Sequence, residues 1–134
     1  MPGAPQVEAG EARLEPIVDI LAFFAAMGNY GYLDVLGNAL ERTTALEALG
    51  NALRDYRSTC LDASPEQRRR LEAEEGVRCP RLGPGDLEAA VREFEEVTRE
   101  KERSGELVVL LREIYVRALA RASRFKVGGS GGGR

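Results

Sequence analysis

The chain has 134 residues, the length of one domain, and its 19 basic and 22 acidic side chains give a formal net charge of −3. It contains no His and only two Cys. These counts exclude Ser-His-Asp and Cys-His nucleophilic systems and four-ligand Cys/His zinc sites. We therefore expect a protein with no catalytic activity, no metal ion and no cofactor.

The sequence also predicts the cellular location of the protein and the kind of organism it comes from. The longest apolar run, residues 21–27, is much shorter than the ~20 residues of a membrane span. The N-terminus lacks the basic and apolar stretches of a signal peptide, so we expect a cytoplasmic protein. All cations except Lys101 and Lys126 are Arg, and Asn and Gln are scarce. This bias is typical of a thermophilic source, and a GC-rich genome produces the same preference for Arg.

Hydrophobic periodicity predicts helices throughout, and no segment alternates with the period of two that marks a strand. The predicted fold class is all-α, a compact bundle of five to six helices with flexible N- and C-terminal arms. Residues 1–13 form the N-terminal arm, residues 14–126 the single helical domain, and residues 127–134 a Gly-rich tail, either native or left by cloning. The predicted helices span residues 15–27, 30–41, 44–59, 65–75, 86–103 and 106–125.

Helix-end signals support these boundaries. Ser64 before Pro65, with Gln67 three residues later, predicts a capping box, and the pair Thr44 and Glu47 predicts another. Gly28 predicts the end of the first helix. In the second helix Leu33, Leu36 and Leu40 are predicted to face inward.

The pentapeptide Leu-Gly-Asn-Ala-Leu occurs twice, at residues 36–40 and 49–53. A glycine inside a helix costs about 1 kcal/mol relative to alanine, so Gly37 and Gly50 require a reason. We expect close approach of a neighbouring helix at both positions, with contact to a ligand as the alternative.

Cys60 and Cys79 have 18 residues between them. In a mesophilic cytosol they would be reduced, whereas intracellular proteins of hyperthermophiles can carry disulfides. Reduced, partly buried thiols are the favoured interpretation, and a disulfide that staples a helix end to the next loop is the alternative.

Charge is unevenly distributed along the chain. Residues 1–51 carry −5, whereas residues 112–134 carry +5. On the last predicted helix Arg117, Arg121 and Arg124 lie within about 60° of one another, and Lys126 follows them. Such a stripe can track a phosphate backbone, because Arg presents a bidentate fork. The alternative is a solvated helix face whose cations complement the helix dipole.

Two further motifs have both a binding and a structural interpretation. Residues 68–70 are three consecutive Arg flanked by Glu, for which intrahelical ion pairing is the expected role. Tyr30 and Tyr32 flank Gly31 at a predicted helix junction. Their rings could stack on nucleic-acid bases, although core packing is the commoner role of such tyrosines.

The segment at residues 29–57, NYGYLDVLGNALERTTALEALGNALRDYR, resembles the small helical subunit of archaeal type I-A CRISPR interference (Cascade) complexes. The resemblance is carried by Tyr30-Gly31-Tyr32, Asp34, the Leu-Gly-Asn-Ala turn and the later Arg-Asp-Tyr-Arg, under a quarter of the chain. The Gly-rich tail and the polar fourth helix have no counterpart in the resemblance.

The resemblance implies a non-catalytic subunit of an RNA-guided surveillance complex that helps to bind target DNA or the displaced strand during R-loop formation. Its partners would be the other Cascade subunits, the guide RNA and the target DNA, with possible self-association and neither a membrane nor a small-molecule substrate. The alternatives are a DNA-wrapping coat protein of a filamentous archaeal virus and a generic helical adaptor. Charge layout selects the nucleic-acid-binding candidates in two groups: first Arg117, Arg121, Arg124 and Lys126, then Arg54, Arg57 and Arg68.

Overall fold

In the computed structural model, which describes residues 14–127, the predicted helices form an all-α bundle, as expected from the sequence. The six α-helices of this range are α1 (Glu15–Ala26), α2 (Gly31–Gly37), α3 (Arg42–Tyr56), α4 (Pro65–Glu75), α5 (Pro84–Ser104) and α6 (Leu107–Arg121). A π-helical turn, Arg57–Leu61, continues α3, and a 3₁₀ turn, Ala122–Phe125, continues α6. The predicted N-terminal arm and residues 128–134 of the predicted tail lie outside the described residues.

Helix α1 forms the centre of the core. Eight of its twelve residues are buried, and it packs against α2, α3, α5 and α6. Its sequence explains this position, since Phe23 and Phe24 widen an already apolar face and their rings contact each other and the rings of Tyr56 and Tyr32. The helix ends before Gly28, whose φ of 86° requires a residue without a side chain, as predicted.

Helix α2 is shorter than predicted. It ends at Gly37, and the Asn38 side chain donates a hydrogen bond of 2.8 Å to the Asp34 carbonyl at the helix end. The chain then leaves the helix. As a result Leu40, predicted to face inward, is 77% exposed. That prediction is wrong because it extended the helical period beyond the helix.

Helix α3 begins at Arg42, two residues earlier than predicted, and its N-cap residue Glu41 makes no side-chain capping bond. The capping box predicted at Thr44 and Glu47 is therefore wrong. A long-range contact occupies this helix start instead, since Arg42 donates to the Thr98 hydroxyl at 3.0 Å and to the Glu95 carbonyl at 2.9 Å, both on α5.

Helix α4 buries none of its residues. Its ends are fixed locally: Ser64 and Gln67 form the predicted capping box, with bonds of 3.1 and 2.8 Å, and Gly76 ends the helix in the left-handed conformation. A polar helix of eleven residues is marginal in isolation, so contacts with the rest of the bundle must hold it.

The two repeat glycines differ in their surroundings. A Cβ at Gly37 would lie 2.5 Å from Cδ1 of Tyr115 on α6, which confirms close helix approach there. A Cβ at Gly50 would meet nothing within 4 Å, and that residue is exposed. The packing interpretation is therefore wrong for Gly50.

Cys60 and Cys79 are joined in a disulfide that links the π-helical turn to the loop between α4 and α5. The favoured interpretation of reduced thiols is therefore wrong, and the alternative of a staple holds. Sequence spacing alone could not show that a π-helical turn directs Cys60 toward this loop.

Candidate nucleic-acid interface

The predicted arginine stripe on α6 faces α1 along part of its length. Arg117 donates to the Glu15 carboxylate, while Arg121 lies 2.6 Å from the Glu15 carboxylate and 3.0 Å from that of Asp19. Helical spacing explains the match, because Glu15 and Asp19 are one turn apart on α1, as Arg117 and Arg121 are on α6. We call these four residues the α1–α6 clamp.

Within the clamp, the Arg121 side chain is only 14% exposed. Burial by itself lowers the pKa of Arg121, but hydrogen bonds to Glu15 and Asp19 outweigh that effect and raise it above its usual value. This guanidinium is thus charged and already satisfied by two carboxylates, whereas Arg117 is 38% exposed.

Arg124 and Lys126, at the end of the stripe, have different surroundings. Both are exposed, and neither forms an ion pair within 4.0 Å with another described residue. Since they follow α6 in the 3₁₀ turn and the residue after it, they project beyond the clamp and are accessible to a ligand.

A short β-bridge brings a further arginine to this end of the molecule. Val77 pairs antiparallel with Lys126, the Arg78 amide donates to the Phe125 carbonyl at 2.7 Å, and the Val127 amide donates to the Gly76 carbonyl at 2.8 Å. The bridge thereby places the backbone of Arg78 beside that of Phe125, which lies between Arg124 and Lys126 in the chain. We call Arg78, Arg124 and Lys126 the basic end.

The second group of candidates is spread over three elements. Arg54 on α3 donates to the Asn51 side chain at 3.2 Å, and Arg57 is exposed at the start of the π-helical turn. Arg68 on α4 donates through Nε and Nη2 to the Cys60 carbonyl at 3.1 and 2.6 Å. The structure therefore does not gather these three arginines into one site.

The three consecutive arginines of α4 lack the intrahelical pairs predicted for them. Neither Arg68, Arg69 nor Arg70 has an ion pair within 4.0 Å in the part of the chain that the structure describes. Arg68 instead reaches across to Cys60, and this bond ties the polar helix α4 to the bundle.

Arg68 also lines a half-open cavity of about 380 Å³ with two arginines that sequence reasoning missed, Arg78 and Arg81. The spacing Arg78-Cys79-Pro80-Arg81 places one cation on each side of a cysteine. This pattern predicts the site only if a Cys60–Cys79 disulfide is assumed, because the disulfide brings this loop to the π-helical turn.

Of the two tyrosines considered for base stacking, Tyr30 is 47% exposed. Tyr32 packs edge-on against Phe24, with ring centroids 5.1 Å apart, and is half-buried. Only the ring of Tyr30 is open enough to stack on a base, whereas Tyr32 belongs to the core as the structural interpretation expected.

Residues 14–127 offer little to other kinds of site. No group of three or more potential ligands in this range could hold a metal ion. Of the helices that the structure describes, none combines the length and apolar character needed to cross a membrane. No family model, curated protein or solved structure matches the chain.

Proposed function

We propose that the chain is a non-catalytic subunit of an RNA-guided CRISPR surveillance complex of the archaeal type I-A class. Its role there is to hold target DNA or the displaced strand during R-loop formation, in the cytoplasm of a heat-adapted cell. The observation that carries the proposal is the basic end, where a β-bridge pairs the backbone beside Arg78 with the segment that carries Arg124 and Lys126.

The chemistry of the basic end suits a nucleic-acid backbone. Arg and Lys without carboxylate partners neutralise phosphates and release counterions. In RNA-guided complexes base pairing reads the sequence, and the protein contributes backbone contacts in a positively charged channel. The acidic N-terminal segment, at −5 over residues 1–51, limits stray binding of nucleic acid elsewhere on the surface.

Helix α6 supplies a surface for a neighbouring subunit. Val109 and Val116, two turns apart, are 65% and 57% exposed. Arg112 and Glu113 lie on opposite flanks of the stripe that these valines form, about 50° to either side of its centre. Exposed apolar patches with polar rims mark interaction sites. The partner proposed for this surface is a second copy of the chain.

Charge complementarity supports that partner. A two-fold axis parallel to α6 places valine against valine along the stripe, and Arg112 of each copy beside Glu113 of the other. This contact uses the same surface on both copies, so it closes at a dimer.

The second candidate, a DNA-wrapping coat of a filamentous virus, needs a contact that propagates, whereas the two-fold contact proposed for α6 closes. A generic helical adaptor accounts for the α6 surface but gives no role to the basic end. These two alternatives therefore explain less of the molecule than the defence subunit does.

The test is binding of a fluorescent 20-nucleotide oligo-dT, followed by anisotropy at several salt concentrations. The variant Arg124→Glu with Lys126→Glu is compared with Arg99→Glu and Arg103→Glu on α5, which changes the net charge equally. We expect log affinity to fall linearly with log salt. In the first variant only, the slope should shrink by ~0.7 for each phosphate that the protein no longer neutralises.

Equal effects of the two variants would show that the basic end is not the contact surface. Regular filaments of the purified protein with bound duplex DNA would favour the coat protein instead. Purification of the tagged chain from its source cells should recover other protein subunits together with guide-length RNA.

A further inference from the structure

The cavity beside the disulfide has an unusual lining. Its wall is formed by the Cys60–Cys79 disulfide and by Tyr56, and its charged groups are Arg68, Arg78, Arg81 and Glu72. We call it the arginine cavity. Three guanidinium groups against one carboxylate leave an excess of positive charge around about 380 Å³.

No carboxylate of the described residues neutralises the guanidinium groups of this cavity. Among residues 14–127, none of the three arginines has a carboxylate oxygen within 4.0 Å, although Glu72 lines the same cavity. By contrast, Arg117 and Arg121 of the α1–α6 clamp have carboxylate partners. The arginine cavity therefore keeps its cationic groups available for a ligand.

The frame around the cavity is fixed on several sides. Arg68 is oriented by two hydrogen bonds to the Cys60 carbonyl, made by Nε and Nη2, and its Nη1 group has no partner among residues 14–127. The buried Tyr56 hydroxyl donates to the carbonyl of Pro80 at 3.2 Å, and Pro80 lies between Arg78 and Arg81 in the sequence. Together with the disulfide, these bonds fix the conformation of the loop before a ligand binds, which reduces the conformational entropy lost on binding.

We propose that the arginine cavity binds a phosphate group, with Arg78 and Arg81 as its principal contacts and Arg68 as an oriented third donor. Arg forks match the oxygens of phosphate in bidentate geometry. Arg78 lines the cavity and also belongs to the basic end, so a strand that contacts the basic end through Arg78 also reaches the cavity. Assignment of this phosphate to a nucleic-acid backbone rests on the proposed function, since free phosphate has the same chemistry.

The test compares two matched variants, Arg78→Gln with Arg81→Gln and Arg69→Gln with Arg70→Gln. Both remove two positive charges, but only the first pair lines the arginine cavity. Each protein is titrated with oligo-dT by anisotropy, and with inorganic phosphate and pyrophosphate by calorimetry. We expect the first variant to weaken oligo-dT binding about tenfold or more, because charge-assisted hydrogen bonds are removed, and the second to weaken it less than about threefold.

A third variant, Cys60→Ser with Cys79→Ser, tests whether the disulfide holds the residues of the arginine cavity in position. It should weaken oligo-dT binding while circular dichroism shows unchanged helix content. If helix content falls, oligo-dT binding is compared instead between the fully oxidised and the fully reduced forms of the unaltered chain, with the same expectation.

The outcomes separate this inference from the proposed function. Oligo-dT binding that depends on Arg124 and Lys126 but falls equally in the two glutamine variants overturns the arginine cavity and leaves the proposed function standing. Binding of phosphate or pyrophosphate that requires Arg78 and Arg81, without oligo-dT binding, supports the cavity and overturns nucleic acid as the source of its phosphate. Absence of binding to all three probes overturns both.

Discussion

Gly37 and Gly50 occupy the same position in two copies of one pentapeptide, yet substitution by alanine should have opposite effects. At Gly37 the new methyl group meets Cβ, Cγ and Cδ1 of Tyr115 at 2.5 to 2.8 Å. These atoms lie at the base of the ring and cannot swing aside, so Gly37→Ala should lower the free energy of unfolding by about 1–3 kcal/mol. At Gly50 the space is open, and Gly50→Ala should raise it by up to about 1 kcal/mol.

Urea unfolding of the two variants beside the unaltered chain measures both changes, and each variant is the other's control. A stabilising Gly37→Ala would contradict the close approach of α2 to α6. The pentapeptide predicted that each glycine needs a reason but assigned both the same one. Whether a helix face meets a neighbour depends on tertiary packing, which a repeated motif does not encode.

Tyr56 predicts how stability changes at alkaline pH. Burial raises its pKa to about 12, an increase that the nearby Arg68 guanidinium reduces and the Asp19 carboxylate reinforces. The unfolded chain releases this phenol proton near pH 10, while the folded chain keeps it to about pH 12. The unfolded state therefore binds fewer protons over that interval, and the free energy of unfolding falls as pH rises.

The contribution of Tyr56 is fully present below pH 10 and is lost through pH 12, a total of about 2–3 kcal/mol. The Tyr56→Phe variant has no phenol hydroxyl, so its pH profile shows how the other groups that titrate at alkaline pH change the stability. Chemical unfolding of both proteins at intervals from pH 9 to pH 12 should show the free energy of unfolding of the unaltered chain falling relative to that of the variant. Parallel profiles would mean that the phenol is not perturbed in the folded state.

At the scale of elements, the α1–α6 clamp joins the most buried helix to the last one. Arg121 bonds to both Glu15 and Asp19 and is 14% exposed. Exposed ion pairs contribute up to about 1 kcal/mol and buried ones more when one partner is removed. We expect Arg121→Ala to lower the free energy of unfolding by about 1–2 kcal/mol, and 1 M NaCl to reduce the difference.

The matched control is Arg99→Ala, an exposed position on α5, where the change should stay within about 0.5 kcal/mol. Thermal and urea unfolding of both variants provide the comparison, and equal effects would mean that the clamp adds no stability. The sequence predicted the arginine stripe from helical geometry. It could not predict that a carboxylate pair on a helix 102 residues earlier faces part of that stripe.

The disulfide is the other contact between elements with a measurable consequence. It closes a loop between residues 19 apart, which stabilises the fold by about 3 kcal/mol in the chain-entropy description. Reduction should lower the free energy of unfolding by about that amount in guanidinium titrations with and without a phosphine reductant. Mass spectrometry after alkylation supplies the control, and two free thiols in the unreduced native protein would contradict the staple.

Helix boundaries show how far local signals reach. The Ser64 capping box and the stop at Gly28 depend on neighbours in the chain, so the sequence predicted both. The start of α3 is set by Arg42 contacting α5, more than fifty residues away. The arginine cavity escaped prediction for the same reason, since Arg68 and Arg78 become neighbours through tertiary contacts and the disulfide.

At the scale of the whole molecule, net charge conceals an arrangement that matters for assembly. The acidic N-terminal segment includes Glu15 and Asp19, which neutralise part of the basic last segment through the clamp. Among the described residues of that segment, Arg124 and Lys126 lie in the basic end and Arg112 lies beside the α6 valines. One end of the molecule is thus available to bind anions, and a separate helix face is available to pair with another copy.

That separation allows pairing to be tested without disturbing the basic end. Light scattering with size-exclusion chromatography should give a dimer for the unaltered chain. Val109→Glu with Val116→Glu should give a monomer, because four carboxylates would meet in the paired stripe. Val35→Glu, at a 51% exposed valine on α2, is the matched control and should remain dimeric.

Charge exchange on the flanks of α6 distinguishes the two-fold arrangement from nonspecific association. Arg112→Glu alone places Glu beside Glu across the axis and should weaken the dimer by about tenfold or more, since like charges are destabilising at close range. Adding Glu113→Arg restores opposite charges with the positions exchanged, and the dimer should return. If the double variant stays monomeric, or if Arg112→Glu leaves the dimer unchanged, the copies do not pair about an axis parallel to α6. Filaments of the unaltered chain would instead require a second, propagating contact and would favour the coat protein over a closed subunit pair.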